Sequence, residues 1–404
     1  MPSLFRPAAG HLVAAVLLPF AGMFYSIVVW GAIDGSNDFT DHLSFARDFY
    51  WFGRPPVPHF LFHGLTAALY ATGLAGSFAS AARAMIVGCY LAVPLLLYGF
   101  LWALFRNTRL GRPPILLAAS LATLLAQPIT RNHAYMLGFF WPEPYHSPTM
   151  VVLKPFAIAG FAGAAWYLSH RSGAHVFLTA LFTLATVAGA LSKPSFLICL
   201  VPAVTVLAVY RLARKLPVSV VGLLAGLYLP AAVVLGWQAW FTYSGHGTGE
   251  YHDAIRWAPF KVMGAWTSGL TSKLLLSIAF PLAVTIWYWE EARRDTVLQL
   301  SWLCFLFGAF YSYMLAETTN WLAGNFTWSG DVTAFTLFIG SVAFWLRQAP
   351  VPAGAKRSIQ WAFWLSGAVL LLHAISGVRL DWFYLWHHGC APDYRGGFIC
   401  RGQP

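Results

Sequence analysis

Long apolar runs alternate with short polar segments along almost the whole chain. The runs are roughly 17–23 residues long, which is the length that crosses the hydrocarbon core of a bilayer as a helix. The pattern predicts an all-α, polytopic integral membrane protein with about eleven transmembrane helices, within a range of about ten to thirteen. The predicted spans cover residues 11–33, 84–105, 114–130, 150–168, 175–191, 196–210, 218–240, 273–289, 296–315, 331–346 and 358–376.

The predicted orientation of the chain in the membrane depends on whether residues 58–80 span it. This stretch is apolar enough to cross the bilayer, but if it lies at the membrane interface, the basic loops of the chain all fall on one side of the membrane. The positive-inside rule favours that arrangement, with the N-terminus inside and the C-terminus outside. We therefore expect a single transmembrane domain over 1–376, in which 34–83 form a first extracytoplasmic loop with interfacial helices. A short extracytoplasmic tail, 377–404, follows it.

Composition agrees with a membrane location and argues against a nucleic-acid partner. Charged residues make up only 10% of the chain, against about 25% in soluble proteins. The formal net charge is +11, yet the basic residues are scattered through short loops and form no stripe or nucleic-acid motif. We expect a multi-pass protein of the inner cell membrane whose site faces the extracytoplasmic side.

The five cysteines divide into two groups. Cys89, Cys199 and Cys304 lie inside apolar runs and are expected to be small core residues. Cys390 and Cys400 lie in the polar tail. If that tail is extracytoplasmic they are expected to form a disulfide, and the alternative is two free thiols.

The densest mixture of acidic, basic and imidazole side chains follows the first apolar run. It contains Asp38, Asp41, His42 and Arg47. Carboxylates near hydrocarbon cost free energy unless they have a partner, water or a function. An Asp at the membrane surface can act as general base on an acceptor hydroxyl, so Asp38 and Asp41 are the candidate catalytic residues. The alternative is a solvated interfacial loop.

Two lysines near outer helix ends are candidates for binding a phosphate. Lys154 lies inside a span that follows a proline-rich loop carrying Glu143 and His146, and Lys193 lies in a tight turn before a proline. Cations at this depth suit an anion at the level of the lipid headgroups. The alternative for Lys154 is that its side chain snorkels to the interface.

A further polar segment, 317–331, suits sugar binding. It combines Glu317, Asn325 and Asp331 with two tryptophans, whose faces can stack on sugar rings. The alternative is an interfacial aromatic belt. His59 and His63 share one helical face and are candidate substrate-binding residues, but no third ligand is evident and no metal site is predicted. The glycine-rich loop 243–253 is either a lid or a plain linker.

The chain resembles the polytopic glycosyltransferases of the GT-C superfamily. The resemblance is carried by the N-terminal span and by a long outer loop that opens with Asp38-x-x-Asp41-His42 and continues with surface helices around Pro58–Tyr70. It covers roughly the first 110 residues in pattern and the rest in topology only. The resemblance implies a sugar donor on a polyprenyl phosphate and an acidic base in the first outer loop. The chain lacks the large soluble C-terminal domain of many relatives.

The resulting expectation is a membrane glycosyltransferase that moves a sugar from a polyprenyl-phosphate donor to an acceptor hydroxyl. The partners would be this lipid-linked donor, membrane lipids, and a glycan, lipid or protein acceptor, with no cofactor. A transporter or flippase of lipid-linked or small polar substrates is the alternative from another class, and it would need polar residues near mid-membrane. A polysaccharide polymerase or ligase and a non-catalytic membrane subunit also remain open.

Overall fold

Helices dominate the computed structural model, which describes residues 5–33, 37–126, 147–171, 175–244, 254–266, 268–319, 321–349, 357–386, 390–392 and 398–400. The helices are α1 Phe5–Ile33, α2 Asn37–Phe52, α3 Leu61–Ala71, α4 Phe78–Phe105, α5 Pro113–Leu125, α6 Pro148–Ser169, α7 Val176–Ser192, α8 Leu197–Ala213, α9 Val220–Leu223, α10 Leu229–Tyr243, α11 Lys261–Trp266, α12 Leu270–Ser277, α13 Ala279–Trp287, α14 Trp289–Ala292, α15 Thr296–Met314, α16 Thr327–Arg347 and α17 Arg357–Trp386. A π-helical stretch, Leu224–Tyr228, joins α9 to α10. The strands are β1 Ile255–Trp257, β2 Leu315–Glu317, β3 Cys390–Pro392 and β4 Phe398–Cys400.

Six helical segments of the described chain are long and apolar enough to cross a membrane. They lie in α4, α6, α9–α10, α15, α16 and α17, and the bent pair α12–α13 would be a seventh. Helices α5, α7, α8 and the apolar part of α1 are shorter. These features support the all-α class and a multi-pass membrane protein, while the count of about eleven spans stays a prediction.

The first predicted outer loop is largely helical. Helix α1 runs antiparallel to α4, because His11 Nδ1 lies 2.7 Å from Tyr98 OH while Gly22 lies against the Tyr90 carbonyl. Helices α2 and α3 therefore lie at the end of the bundle where α1 ends and α4 begins. Helix α3 has 11 residues, about 16 Å at 1.5 Å per residue, which is too short for a bilayer core of about 30 Å.

Helix α4 begins earlier than the sequence predicted, at Phe78 rather than at 84. Ser77 precedes it in an extended conformation, and its Oγ accepts a hydrogen bond of 3.1 Å from the amide of Ser80. This cap satisfies one of the amide groups left over in the first turn of a helix. The segment between α1 and α4 is therefore shorter than the predicted 34–83.

The predicted span over 273–289 consists of two helices, because the segment is bent by 67° between α12 and α13. Pro281 lies in the first turn of α13, where it has no amide to donate and crowds the carbonyl of Ser277. The amide of Phe280 instead donates to Nε2 of the buried His373 in α17, at 3.4 Å. A side chain from a distant helix thus supports the bend.

The last helix extends beyond its predicted end. Helix α17 continues to Trp386, so the first ten residues assigned to the tail, 377–386, are helical. After it, β3 and β4 pair antiparallel with Cys390 opposite Cys400. Cα atoms of such opposed residues are about 4.5–5.5 Å apart, within the range that a disulfide spans. The disulfide stays a prediction.

Helix α16 is the most enclosed of the candidate spans, with 83% of its apolar window buried against 33% for α17. Its closest partner is α15, and small residues allow the close approach. Gly308 lies against Ser329 and Thr333, and Gly340 lies against Ser301. Small residues at helix crossings are typical of membrane bundles, where packing rather than burial from water holds helices together.

The helix ends form two distinct groups. At one end Arg347 pairs with Asp295 and lies 5.7 Å from the ring of Phe105, and Arg211 donates to Thr296 at 2.6 Å. We call this the basic end. The opposite end, called the site end below, carries α2, α3, the turn 193–196 between α7 and α8, and the segment 315–326 between α15 and α16. The histidines and most acidic residues singled out in the sequence lie there.

The support for the bend can be tested by His373→Leu. This change leaves the buried amide of Phe280 without its acceptor, and we expect the free energy of unfolding to fall by about 1–3 kcal/mol. Thermal unfolding in detergent would measure the loss. Leu372→Ala, at an exposed neighbouring position, is the control and should change little. Equal stability of the His373 variant and the wild type would contradict the assigned role.

Candidate functional site

Lys193 lies at the centre of the site end. Helix α7 ends at Ser192, and Pro194 follows, so the chain turns over 194–196 before α8 begins. The side chain of Lys193 is 8% exposed. Its Nζ donates to Ser147 Oγ at 3.4 Å and lies 4.5 Å from the ring centroid of Trp328. A cation so placed is held by one hydroxyl and one aromatic face.

Three carboxylates from separate segments act on this cation. Asp38 comes from the first turn of α2, Glu317 from β2 and Asp331 from α16, and each stabilises the charged ammonium. Burial lowers the pKa of Lys193 to about 8, and these carboxylates limit the drop. The ammonium is therefore mostly charged at neutral pH, yet closer to losing its proton than an ordinary lysine.

Lys154 and Asp331 extend the charged cluster into the bundle. Lys154 lies in the second turn of α6, with its Nζ 5.7 Å from the ring centroid of Phe335, and its charge attracts that of Asp331. Asp331 faces both Lys154 and Lys193. Its Oδ2 is buried and has no hydrogen-bond partner among the described residues. An acceptor without a donor at this depth is available to a ligand hydroxyl or a water molecule.

Three histidines form the neighbouring wall. His42 Nδ1 lies 2.7 Å from His63 Nε2, with the rings nearly parallel, and both side chains are buried. Burial lowers the pKa of His63 to about 3. Burial also lowers the pKa of His59 to about 3, and the charge of Lys193 adds to that effect. The imidazoles of His59 and His63 are therefore neutral at pH 7, so they can position a substrate by hydrogen bonds without adding positive charge.

Glu317 and Asn325 are linked across the loop between α15 and α16. Asn325 Nδ2 donates to both carboxylate oxygens of Glu317, at 2.9 Å each. The turn depends on Gly324, whose φ of +60° favours glycine and whose missing side chain leaves room for the ring of Trp266. This contact fixes Glu317 beside Lys193 and agrees with the expected role of the segment in binding, which stays a prediction.

The remaining sequence candidates lie apart from this cluster or outside the described residues. Asp41 is exposed on α2. Arg47 is exposed too, 6.0 Å from the ring centroid of Phe78 at the start of α4. Glu143 and His146 lie outside the described residues, as does most of the glycine-rich loop 243–253. The structure thus brings Asp38 towards Lys193 and leaves Asp41 facing outward.

Two residues of the site were not singled out from the sequence. Ser147 supplies the hydroxyl on Lys193. Gln238, buried in α10, donates from Nε2 to the carbonyl oxygens of Pro58 and Ala190, at 3.1 and 2.8 Å. It therefore ties the segment before His59 to the last turn of α7. The signal was available, since an amide in an otherwise apolar span requires a polar partner.

The cluster can bind an anion, accept a proton and hold hydroxyl groups. Lys154 and Lys193 supply positive charge, Asp38 is a proton acceptor beside them, and Glu317, Asn325 and Trp328 supply hydrogen bonds and an aromatic surface. Among the described residues no group of three or more His, Cys, Asp or Glu side chains has the arrangement of a metal site.

Comparisons with protein-family models, with curated proteins and with solved structures find no match for this chain.

The neutral histidines predict a loss of stability in mild acid. The unfolded chain takes up protons below about pH 6.5, but folded His63 resists protonation until about pH 3. Stability from His63 is fully present above about pH 6.5 and falls as the pH drops towards 3, by about 2 kcal/mol at pH 5. Thermal unfolding between pH 7 and pH 5 would measure it.

The variant His63→Leu should flatten this pH dependence, because it removes the resisting group. His175→Leu, at an exposed position before α7, is the control and should keep the wild-type slope. An unchanged slope in the His63 variant would show that this imidazole is not held neutral.

Proposed function

We propose that this protein is a membrane glycosyltransferase of GT-C type, which moves a sugar from a polyprenyl-phosphate donor to an acceptor hydroxyl. The observation that carries the proposal is the convergence of Asp38 and two lysines, Lys154 and Lys193, at one end of the helical bundle. Glycosyl transfer of this kind needs a base for the acceptor and positive charge for the leaving phosphate. Here both lie beside apolar helices that a lipid-linked donor could reach.

The proposed reaction is a direct displacement at the anomeric carbon. Asp38 takes the proton of the acceptor hydroxyl as its oxygen forms a bond to that carbon. The bond from the anomeric carbon to the phosphate oxygen breaks, and its electron pair leaves with the phosphate. Lys193, assisted by Lys154, stabilises the charge that develops on the departing oxygen. A lone base fits inversion at this carbon.

The membrane placement belongs to the same proposal. Eleven crossings result when α5, α7, α8 and the apolar part of α1 are added to the six long candidate spans and the bent pair α12–α13, with α2 and α3 at the interface. The positive-inside rule then places the basic end in the cytoplasm and the site end on the extracytoplasmic face. A polyprenyl-phosphate donor in the inner membrane is accessible from that side.

A transporter of lipid-linked or small polar substrates is the second candidate. The observation in its favour is the Lys154–Asp331 pair, because ionisable residues inside spans commonly mark transport pathways. Both residues nevertheless lie near the site-end termini of α6 and α16, about 10 Å or less along the helix axis. Charge at helix ends favours surface chemistry over passage through mid-membrane.

The catalytic assignment can be tested by sugar transfer in membranes. We expect Asp38→Asn to reduce transfer from a radiolabelled polyprenyl-phosphate sugar pool by at least about a hundredfold, the usual contribution of a positioned base. Asp48→Asn is the matched control on the same helix and should retain activity at equal protein levels.

Two results would contradict this assignment. Loss of transfer in Asp41→Asn with Asp38→Asn active would place the base at the exposed carboxylate. Absence of transfer by the wild type from every such pool, with the protein folded, would favour the transporter.

The pKa of Lys193 predicts the alkaline limit of the reaction. Because only the charged ammonium stabilises a phosphate, kcat/KM for the donor should fall as the pH rises through about 8. The pH dependence of kcat/KM reports ionisations of the free enzyme. In the pH profile of kcat, which reports the complex, the alkaline decline should occur at higher pH, because bound phosphate stabilises the charged ammonium. In Lys193→Arg the limb of kcat/KM should move upward, since guanidinium stays charged. An unmoved limb in that variant would rule out Lys193 as its source.

A further inference from the structure

The loop between α4 and α5 carries three exposed arginines at the basic end. Arg106 follows the last residue of α4, Arg109 begins a short 3₁₀ turn, and Arg112 directly precedes α5. Helix α4 is a candidate span of 28 residues. Its length is about 42 Å at 1.5 Å per residue, which matches a bilayer of about 40–45 Å with its headgroup regions. The loop is therefore expected at the level of the lipid headgroups.

Hydrogen bonds of its own backbone hold the loop in one shape. Thr108 Oγ1 donates to the carbonyl of Phe105 at 2.8 Å and accepts from the amide of Leu110 at 3.2 Å. The amide of Gly111 donates to the carbonyl of Thr108 at 3.1 Å. A side chain would not fit at Gly111, because its first carbon would lie 2.5 Å from the carbonyl oxygen of Phe105. The loop thus positions its arginines without using their side chains as supports.

No carboxylate of the described residues balances the charge of these arginines. The sequence has no Asp or Glu from 49 to 142. In the part of the chain that the structure describes, Arg109 and Arg112 make no ion pair and no side-chain hydrogen bond. Arg106 lies against the ring of Trp102, with its guanidinium carbon 5.6 Å from the ring centroid. Three positive charges therefore face outward from one short loop.

Three other arginines of the basic end already have partners. Arg293 pairs with Glu290, whose carboxylate also lies 3.9 Å from Arg294. Arg171 donates to the carbonyl of Lys215 at 2.5 Å. The loop 106–112 differs from these neighbours because its charge is left for an anion from outside the protein.

The face of α4 next to the loop suits a hydrocarbon chain. Leu95, Gly99, Trp102 and Arg106 follow one another at three or four residues, so they share one face of the helix, and all four are exposed. A carbon added at Gly99 would have no atom within 4 Å, which leaves a depression between the larger side chains. Gly99 lies about 10 Å from Arg106 along the axis, and a tryptophan between charge and apolar surface is typical of a membrane interface.

We propose that the loop 106–112 and the adjoining face of α4 bind an anionic phospholipid. Arg106, Arg109 and Arg112 hold its phosphate, because guanidinium groups form paired hydrogen bonds with phosphate oxygens. One acyl chain lies over Gly99, beside Trp102. An anionic headgroup is favoured over a zwitterionic one, whose own ammonium would oppose the three charges. This site lies at the end of the bundle opposite Lys193 and does not depend on the glycosyltransferase assignment.

Lipid selectivity can be measured by native mass spectrometry of the intact protein in detergent, with equal amounts of phosphatidylglycerol and phosphatidylcholine. We expect the wild type to retain phosphatidylglycerol preferentially. The triple variant Arg106→Gln, Arg109→Gln, Arg112→Gln should lower that preference at least about tenfold, since one basic residue near an anionic lipid surface contributes roughly a factor of five.

A second triple variant is the matched control, and it combines Arg171→Gln, Arg293→Gln and Arg294→Gln. It removes the same charge from the same end of the bundle, but from arginines that have partners within the protein. It should keep the preference of the wild type. Equal losses in the two triple variants would show that only the total charge of this end matters, and would overturn the inference.

The part of the site that holds the acyl chain is tested by Gly99→Leu, which fills the depression. We expect phosphatidylglycerol to bind about fourfold more weakly, as for losing the burial of about one methylene group. Gly88→Leu adds the same bulk to another open position of α4, about 27 Å from Arg106, and should bind as the wild type does. Both variants keep the arginines, so they decide the question even if the first triple variant does not fold.

Three results would overturn the inference. The first is a wild type without any preference for phosphatidylglycerol. The second is equal binding of this lipid by the Gly99 and Gly88 variants. The third is displacement of the lipid by millimolar inorganic pyrophosphate, because this would identify a site for soluble anions instead of a lipid.

Discussion

The buried ammonium of Lys193 is the interaction on which the site end depends. A lysine with its side chain removed from water costs several kcal/mol unless opposite charge and hydrogen bonds compensate. Here the compensation comes from Asp38, Glu317 and Asp331, which belong to α2, β2 and α16. The position of each segment is therefore coupled to the others through one cation. Removing the lysine or its carboxylates would leave an unpaired buried charge, so the cluster supports the structure of the site end.

The depth of the charges explains why they can be tolerated and what they can do. Lys154 and Asp331 lie within the first two turns of their helices. Neutral histidines and Trp328 fill the space around them, which limits the net charge that has to be desolvated.

Much of the helical framework follows from the apolar runs alone. Each predicted span corresponds to a helix or a pair of helices. The turn at Lys193-Pro194 could also be predicted, because proline has no amide to donate to a continuing helix. The bend between α12 and α13 was not predictable, since its support comes from His373, about ninety positions away. The bridging role of Gln238 also depends on long-range neighbours.

The choice between Asp38 and Asp41 shows the same limit for the site. It depends on the phase of α2. His42 is buried and Asp38 is half-buried, while Asp41 is exposed. The sequence pattern predicts surface helices only around residues 58–70, so the phase of a helix over 37–52 could not be assigned from it. Sequence spacing grouped these residues, and tertiary packing showed which of them lies towards Lys193.

The most direct test of the central claim is a double-mutant cycle on Asp38 and Lys193. The free energy of unfolding would be measured for the wild type, Asp38→Asn, Lys193→Gln and the double variant, in one detergent at pH 7. Because the two charges share a buried site, we expect the double variant to lose at least about 1 kcal/mol less than the sum of the single losses. Strict additivity would show that Asp38 does not act on Lys193, and the proposed site would have no basis.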